Sequence, residues 1–389
     1  MATDKIKEFF KSFESADEKI SFRMAHENIG QIIPAISTGS LLLDDALSCG
    51  GVPKGRITQY YGPTGSGKTL LSMLAIKNAQ IDDPESIQMF IDVEQTFDPN
   101  WAQKLGCDTS RILLVDGDTA VYGRDCFEML LGVPKADAKT HEYVGQQKPG
   151  FLDEISSGNI NCNLIIYDSV GACIPPGEDT SAIGKMNMSL LARFLTTTFR
   201  KLSLSVARAN IPFICINHKR DNMEKYGMDH TFSGGNTYAH SLSANVYFER
   251  INRKDSAVLD KNEEVVGTLI RGSVEKSKFG NWPRKCEFTV DFNTGVINLH
   301  EEIAQLAIKY DVVKRPTSMS YEYKDQKWVG APKFNSAILE SPELAEELKK
   351  EIVEARNGNV SKQKEEAEQR TVQVAEKAVR GRPKKSKEE

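Results

Sequence analysis

The stretch Arg56-Ile57-Thr58-Gln59-Tyr60-Tyr61-Gly62-Pro63-Thr64-Gly65-Ser66-Gly67-Lys68-Thr69 reads as an apolar strand that enters a glycine-rich turn and then a helix. Gly62, Gly67, Lys68 and Thr69 have the spacing of a phosphate-binding loop, with Pro63, Thr64, Gly65 and Ser66 filling it. Glycines let the backbone curl so that its N–H groups turn inward onto phosphate oxygens. Lys68 would place an ammonium on the β- and γ-phosphates, and the Thr69 hydroxyl would join a Mg²⁺ shell. A helix over Thr69 to Gln80 adds the positive end of its dipole. A turn that matched by chance would lack the flanking strand and the apolar helix residues Leu70, Leu71, Met73, Leu74 and Ile76. The expected ligand is a nucleoside triphosphate.

Working outward, 389 residues hold one large domain with one or two small pieces, and a 40% hydrophobic content supplies its core. The net charge of −4 mixes both signs, so any surface for anions has to be local. Seven cysteines are scattered without a C-x-x-C pair, which suits reduced thiols acting as small hydrophobes. No apolar run reaches the length of a membrane span, and the first residues lack a signal-peptide core. The expectation is a cytoplasmic protein with no membrane partner.

Residues 4 to 20 carry Ile6, Phe9, Phe10 and Phe13 at helical spacing. Periodicity leaves open whether that stripe docks on a neighbouring subunit or on its own domain. Strands are expected at Met89–Val93, Ile112–Val115, Leu164–Ser169 and Phe213–His218, with helices at Asn100–Leu105, Gly123–Leu131 and Leu190–Arg208 between them. Nearly continuous apolar strands alternating with helices mean a mostly parallel sheet covered on both faces. Val246–Phe248, Leu269–Val274 and Glu287–Val290 read as an antiparallel extension at one edge. Residues 132–150 read as an inserted polar surface loop.

The fold class is therefore α/β, in four segments. These are an N-terminal helix within 1–33, an ATPase core over 34–300, a small C-terminal α/β domain over 301–358, and a disordered tail over 359–389. In the small domain a helix around Ile303 and Leu306 precedes a strand-like run from Tyr321 to Val329. Nine Lys/Arg against six Asp/Glu in residues 361–389 make the tail basic.

Ligands of such sheets bind at the carboxyl ends of the strands. Besides the loop, three groups fall there. Asp168 is placed to reach Mg²⁺, Glu94 to orient and deprotonate an attacking water, and His218 to sense a γ-phosphate. One carboxylate at a strand end is ordinarily a cap, but three such groups beside the loop make a site.

These residues closely resemble the RecA recombinase family. The similarity runs through Ile36 to Leu47, Gly50 to Ile57 and Tyr61 to Thr69. It continues through Phe90 to Glu94, Asp98-Pro99, Lys104 to Gly106, Asp168 to Val170, Ile216-Asn217, Gly234 to Asn236, and Val274 to Lys278. It covers about residues 30 to 310. It implies a RecA-type core, ATP with Mg²⁺, helical filaments on single-stranded DNA, and pairing with double-stranded DNA for strand exchange. Single-strand-binding and loading proteins are implied as partners.

Residue by residue, the resemblance makes Lys68 and Thr69 the phosphate and metal residues, Asp168 a metal support and Glu94 the general base. Asp98 and Trp101 would contact the nucleotide, Trp101 by stacking on adenine. Lys276 and Lys278 would reach the γ-phosphate of the neighbouring subunit; taken alone they read as a solvated face. Two DNA loops would be Glu178–Ser189 and Lys219–Ser233. Met188, Ser189, Arg193, Thr196 and Arg200 would act with the first, and Gly234, Gly235 and Asn236 after the second. Arg193 and Arg200 lie seven apart and share a helix face, which suits a phosphate track. Arg250, Arg253 and Lys254 are candidates for a secondary duplex site.

Two departures, His218 where bacterial members carry Gln and the 132–150 insertion, point to a bacteriophage UvsX-like relative. A third is the tail: Arg380-Gly381-Arg382-Pro383 flanked by lysines looks like an AT-hook that lays arginines in the minor groove. The alternatives are a hexameric helicase-like motor and a non-catalytic mediator. The lysine pair and the two loops weigh against the motor, and the intact Lys68, Thr69, Glu94 and Asp168 weigh against the mediator.

Overall fold

Side chains that alternate strictly along buried strands decide the architecture. Phe90, Leu164, Ile166, Ile214 and Ile216 fall on one face of the sheet, while Met89, Ile91, Ile165, Tyr167, Phe213 and Cys215 fall on the other. Both faces are covered by helices, so the runs read as continuously apolar. The computed structural model describes residues 33–136, 143–178, 188–221, 230–253, 256–280, 284–296 and 298–358. The expected N-terminal helix and the tail with Arg380 and Arg382 lie outside them.

A short antiparallel pair, β1 (Ala35–Ile36) and β2 (Val52–Pro53), brackets α1 (Leu41–Ala46). The core then follows as β3 (Ile57–Gly62), α2 (Lys68–Asp82), β4 (Ile87–Asp92), α3 (Pro99–Lys104), β5 (Ile112–Val115), α4 (Gly117–Val121) and α5 (Gly123–Leu131). After β6 (Val133–Ala136), β7 (Tyr143–Lys148) and α6 (Phe151–Ser156) come β8 (Cys162–Asp168), α7 (Met188–Ala209), β9 (Phe213–Asp221), β10 (His230–Phe232) and α8 (Gly235–Ser241). Strands β11 (Ala244–Arg250), β12 (Ala257–Leu259), β13 (Val265–Ser277), β14 (Arg284–Asp291) and β15 (Gly295–Val296) complete the sheet. The last elements are α9 (Leu299–Lys309), β16 (Ser320–Tyr323), β17 (Gln326–Val329) and α10 (Ala331–Glu340).

The main sheet has the order β15-β14-β13-β11-β3-β9-β8-β4-β5, with β10 on β9 and β12 on β13. Strands β11, β3, β9, β8, β4 and β5 are parallel, and β13, β14 and β15 extend that edge antiparallel. Helix α2 packs on one face; α5 and α7 pack on the other. Burying each Leu or Ile of these layers contributes about 2 kcal/mol.

Four expectations need correction. Val246–Phe248 lies in β11, which runs parallel to β3 and only then pairs antiparallel with β13. Within residues 132–150, expected as a surface loop, β6 and β7 pair antiparallel, and register shifts leave no clean alternation to read. The run 321–329 is likewise a hairpin, turned by Lys324, and its Tyr321 and Trp328 rings each centre 5.0 Å from that of Phe334. The 219–233 loop begins and ends as strand, because Lys219–Asp221 pairs with His230–Phe232.

All seven cysteines are free, and all but Cys49 are buried. Burial pushes the thiols of Cys107, Cys162 and Cys173 up to about 11 and that of Cys215 up to about 12, and those of Cys126 and Cys286 higher still. Among the described residues no helix is long and apolar enough to cross a membrane.

One buried carboxylate joins α9 to α1. Glu302 accepts from Ser40 Oγ (3.0 Å) and from Leu42 N (3.1 Å). Burial outweighs those bonds and pushes its carboxyl up to about 7. A pKa raised above the unfolded value gives stability that is fully present below about pH 4.5 and is lost as pH rises through about 7. Glu302→Gln keeps an acceptor and removes the titration. We expect the variant to match the parent near pH 5 and to exceed it by about 2 kcal/mol at pH 8 in urea unfolding.

Candidate nucleotide and DNA site

Strand β3 delivers the chain to Gly62 (φ +156°), where a Cβ would stand 2.2 Å from Phe248 O. At Gly67 (φ +87°) a Cβ would meet Ile270 Cδ1 at 2.4 Å. Backbone sterics exclude a side chain at Gly62, and the left-handed backbone angle favours glycine at Gly67. Lys68 opens α2, and its ammonium turns back into the loop, donating to Gly62 O (3.1 Å) and Pro63 O (2.8 Å). Burial lowers its pKa against the attraction of Asp168 and Glu94. Ser66 Oγ is buried and without a hydrogen-bond partner among the described residues. An orphaned hydroxyl, the start of a 15-residue helix without a side-chain cap and an enclosed ammonium together fit a phosphate group.

Strands β3, β9, β8 and β4 are neighbours, so their carboxyl ends bring together the loop, His218, Asp168 and Glu94. Thr69 Oγ1 donates to Asp168 Oδ2 at 2.9 Å. Burial is the main cause that pushes the Asp168 carboxyl up to about 6, partly offset by the Thr69 bond. Two hard oxygen donors, one a buried carboxylate short of positive charge, fit a Mg²⁺ ion. The Asp168–Ser169 peptide is cis.

Glu94 Oε1 accepts from Ser169 Oγ (2.5 Å) and lies 2.7 Å from His218 Nε2. The His218 bond, with help from Ser169, holds the Glu94 carboxyl below the usual range, against a desolvation that raises it. His218 does not end its strand as the sequence reading had it, because β9 continues to Asp221. It stands at the point where β9 passes Gly62.

A cavity of about 260 Å³ opens over the loop, lined by Gly65, Gly67, Lys68, Thr69, Trp101, Arg250 and Phe292 among others. Trp101 is fixed by a bond from Nε1 to Phe292 O (2.6 Å) and keeps a partly exposed ring against this space. Asp98 caps α3, accepting from Asn100 N (2.8 Å), and is not among the lining residues. Arg250, a candidate for a duplex surface from sequence, lines this cavity, its guanidinium 5.6 Å from the Phe292 ring centre. Parallel pairing of β11 with β3 brings its end to the loop, and that pairing carried no sequence signal. Ser169 and Phe292 were missed for the same reason: each acts through a non-local neighbour.

Met188 and Ser189 are the first residues of α7 rather than loop. Along that helix Arg193 and Arg200 are exposed and Thr196 is half-buried, while Leu195, Phe199 and Leu202 face the core. Gly234 and Gly235 begin α8. A second cavity of about 260 Å³, lined by Gly171, Glu178, Ala192, Arg220 and Gly234, joins the described ends of the two expected DNA loops. Lys278 is exposed; Lys276 Nζ donates to Ala239 O (2.6 Å) and more weakly to His240 O (3.4 Å). The register sets Lys276 level with Asn245 and Gln59, about 10 Å short of Gly62 along the strand, so both lysines stand away from their own loop.

The model of the RecA N-terminal domain family matches residues 5–138 and 142–297. The chain is 32% identical over 333 residues to protein RecA of Legionella pneumophila, spanning 85% of each chain. It is 32% identical over 325 residues to protein RecA of Pseudomonas savastanoi pv. phaseolicola, spanning 83% of this chain and 82% of the relative. The same figures hold for protein RecA of Pseudomonas fluorescens.

Proposed function

The chain belongs to the RecA family of ATP-dependent DNA recombinases, which exchange strands as filaments, and from that premise we propose how its own residues divide the work. The observation that carries the proposal is the convergence of Lys68, Thr69, Asp168, Glu94 and His218 on the carboxyl side of the adjacent strands β3, β9, β8 and β4. ATP binds with its phosphates in Gly62–Thr69 and its base against Trp101, with Arg250 and Phe292 closing the cavity. Thr69 and Asp168 would hold Mg²⁺, which would supply neutralisation of phosphate charge. Lys68 stabilises negative charge that builds on the phosphate oxygens. Glu94 orients the attacking water and takes its proton at the carboxylate. Ser169 fixes the Glu94 rotamer, and His218 stands between Glu94 and the DNA side.

Lys276 and Lys278 act on the nucleotide of an adjacent subunit, which ties hydrolysis to filament assembly. Arg193, Thr196 and Arg200 track DNA phosphates with Met188, Ser189, Gly234, Gly235 and Asn236, and Arg380 and Arg382 capture duplex. Segment 1–33 serves assembly, 34–300 is the ATPase core and 301–358 a small C-terminal domain. Loading and single-strand-binding partners and a cytoplasmic place complete the proposal.

ATP hydrolysis measured with and without single-stranded DNA over a salt series tests this. We expect strong stimulation that fades as salt rises, because cations on phosphates release counterions. Equal rates with and without DNA would overturn it. In the same assay Arg200→Ala should keep basal hydrolysis and lose about tenfold of the stimulation at moderate salt; unchanged stimulation would remove the α7 track.

A further inference from the structure

Strand β13 presents consecutive residues to both ends of the segment that closes the second DNA loop. Glu275 Oε1 lies 3.1 Å from His230 Nε2, at the start of β10. The other oxygen of Glu275 accepts from Tyr61 OH, so Tyr61 reaches across β11 to β13. Lys276 holds the last carbonyls of α8, the helix that follows the loop. The side chains of His230 and Glu275 are 16% and 12% exposed, so the pair is shielded from water and salt.

Rings brace the same junction. His230 stacks on Tyr247 with centres 4.0 Å apart. Tyr61 packs on Phe232 at 5.0 Å and on Tyr247 at 5.2 Å. Burial, then the Glu275 bond, raises the Tyr61 phenol, which keeps its proton for that carboxylate. Tyr61 is the residue immediately before Gly62, and His230 belongs to the strand that returns from residues 222–229. Hydrogen bonds through one carboxylate therefore connect the strand that carries the phosphate loop to the strand that carries the DNA loop.

We infer that Glu275 is a positioning residue for DNA-activated hydrolysis: it locks β10 to Tyr61, so that DNA binding at the second loop is felt at the phosphate loop. It touches neither nucleotide nor DNA and acts through Tyr61 and His230. The inference rests on the assignment of 219–233 as a DNA loop and names the contact that passes its state on. A side chain whose only task was cohesion would be replaceable by an apolar one of similar volume, and activation by DNA would survive.

The test uses the full chain, ATP, Mg²⁺ and an oligothymidylate titration. Glu275→Leu removes both bonds at similar volume; Glu275→Gln keeps an acceptor for Tyr61 and a donor for His230. In Glu275→Leu the DNA-saturated turnover should fall by about tenfold while basal turnover stays within about twofold, the range expected for lost coupling between sites. Glu275→Gln should restore at least half of the stimulation. Tyr61→Phe, which removes only a hydroxyl, should lower the ratio of stimulated to basal rate by about threefold, and it reads the same connection should the leucine variant fold poorly. Full stimulation in both Glu275→Leu and Tyr61→Phe overturns the inference, as does a parallel fall of basal and stimulated rates in either. Absence of stimulation in the parent chain overturns the DNA-dependent ATPase reading itself.

Discussion

Lys68→Ala is expected to reduce ATP turnover by about 10³-fold or more while leaving the far-UV circular dichroism spectrum unchanged. Two effects act together. The ammonium sits inside the loop, bonded to Gly62 O and Pro63 O, where water screening is weak and a unit charge on a phosphate is worth several times its value in solution. Negative charge on the transferred phosphoryl is spread over its equatorial oxygens in the transition state, so the loss falls on turnover as well as on affinity. The substitution leaves β3 and the apolar layer of α2 intact, because Leu70, Leu71, Leu74 and Ile76 supply that packing. Steady-state hydrolysis with equilibrium nucleotide binding checks this. Turnover within tenfold of the parent would show that the loop is not the hydrolytic site.

Glu94→Gln is expected to lower turnover by about 10³-fold with nucleotide affinity held within about twofold. The amide still accepts from Ser169 Oγ and sits within reach of His218, so the local geometry persists. It cannot take a proton from water, and a positioned base of this kind contributes about 10² to 10⁴. The split between binding and turnover distinguishes this variant from Lys68→Ala, which loses both. The hydrogen bonds that keep Glu94 ionised also make it a weak base, so part of its effect is orientation of the water. Single-turnover hydrolysis with pre-bound ATP isolates the step; a normal burst would rule out the assignment.

The helices and strands that position the loop were legible because each is local. A strand, a G-x-x-x-x-G-K-T turn and an apolar helix follow one another within residues 56–82. Helix Gly123–Leu131 was readable to the residue because its apolar positions recur every three or four residues. Asp168 and Glu94 were readable because carboxylates closing apolar strands meet at one edge of a parallel sheet. What escaped was everything decided by lateral pairing. That Arg250 lines the cavity over the loop was not readable, because nothing in Ala244–Arg250 announces β3 as its neighbour. Strands β6 and β7 pair with two register shifts, and the 219–221 and 230–232 strands are short extensions, so neither raised a periodic signal. The Glu275–His230 pair joins residues 45 apart in sequence, a distance at which spacing rules say nothing.

The thiols give this chain a practical property. A thiolate, not a thiol, attacks maleimides and iodoacetamides, and burial keeps Cys107, Cys126, Cys162, Cys173, Cys215 and Cys286 protonated at neutral pH and out of reach. Cys49 alone is half-buried, with its sulfur against Gly51 O. Replacing that one residue leaves a background nearly silent to labelling reagents. A single cysteine at Leu204, 54% exposed on α7, then takes a fluorophore stoichiometrically and turns assembly along a DNA strand into an optical signal without a cysteine-free redesign of the core.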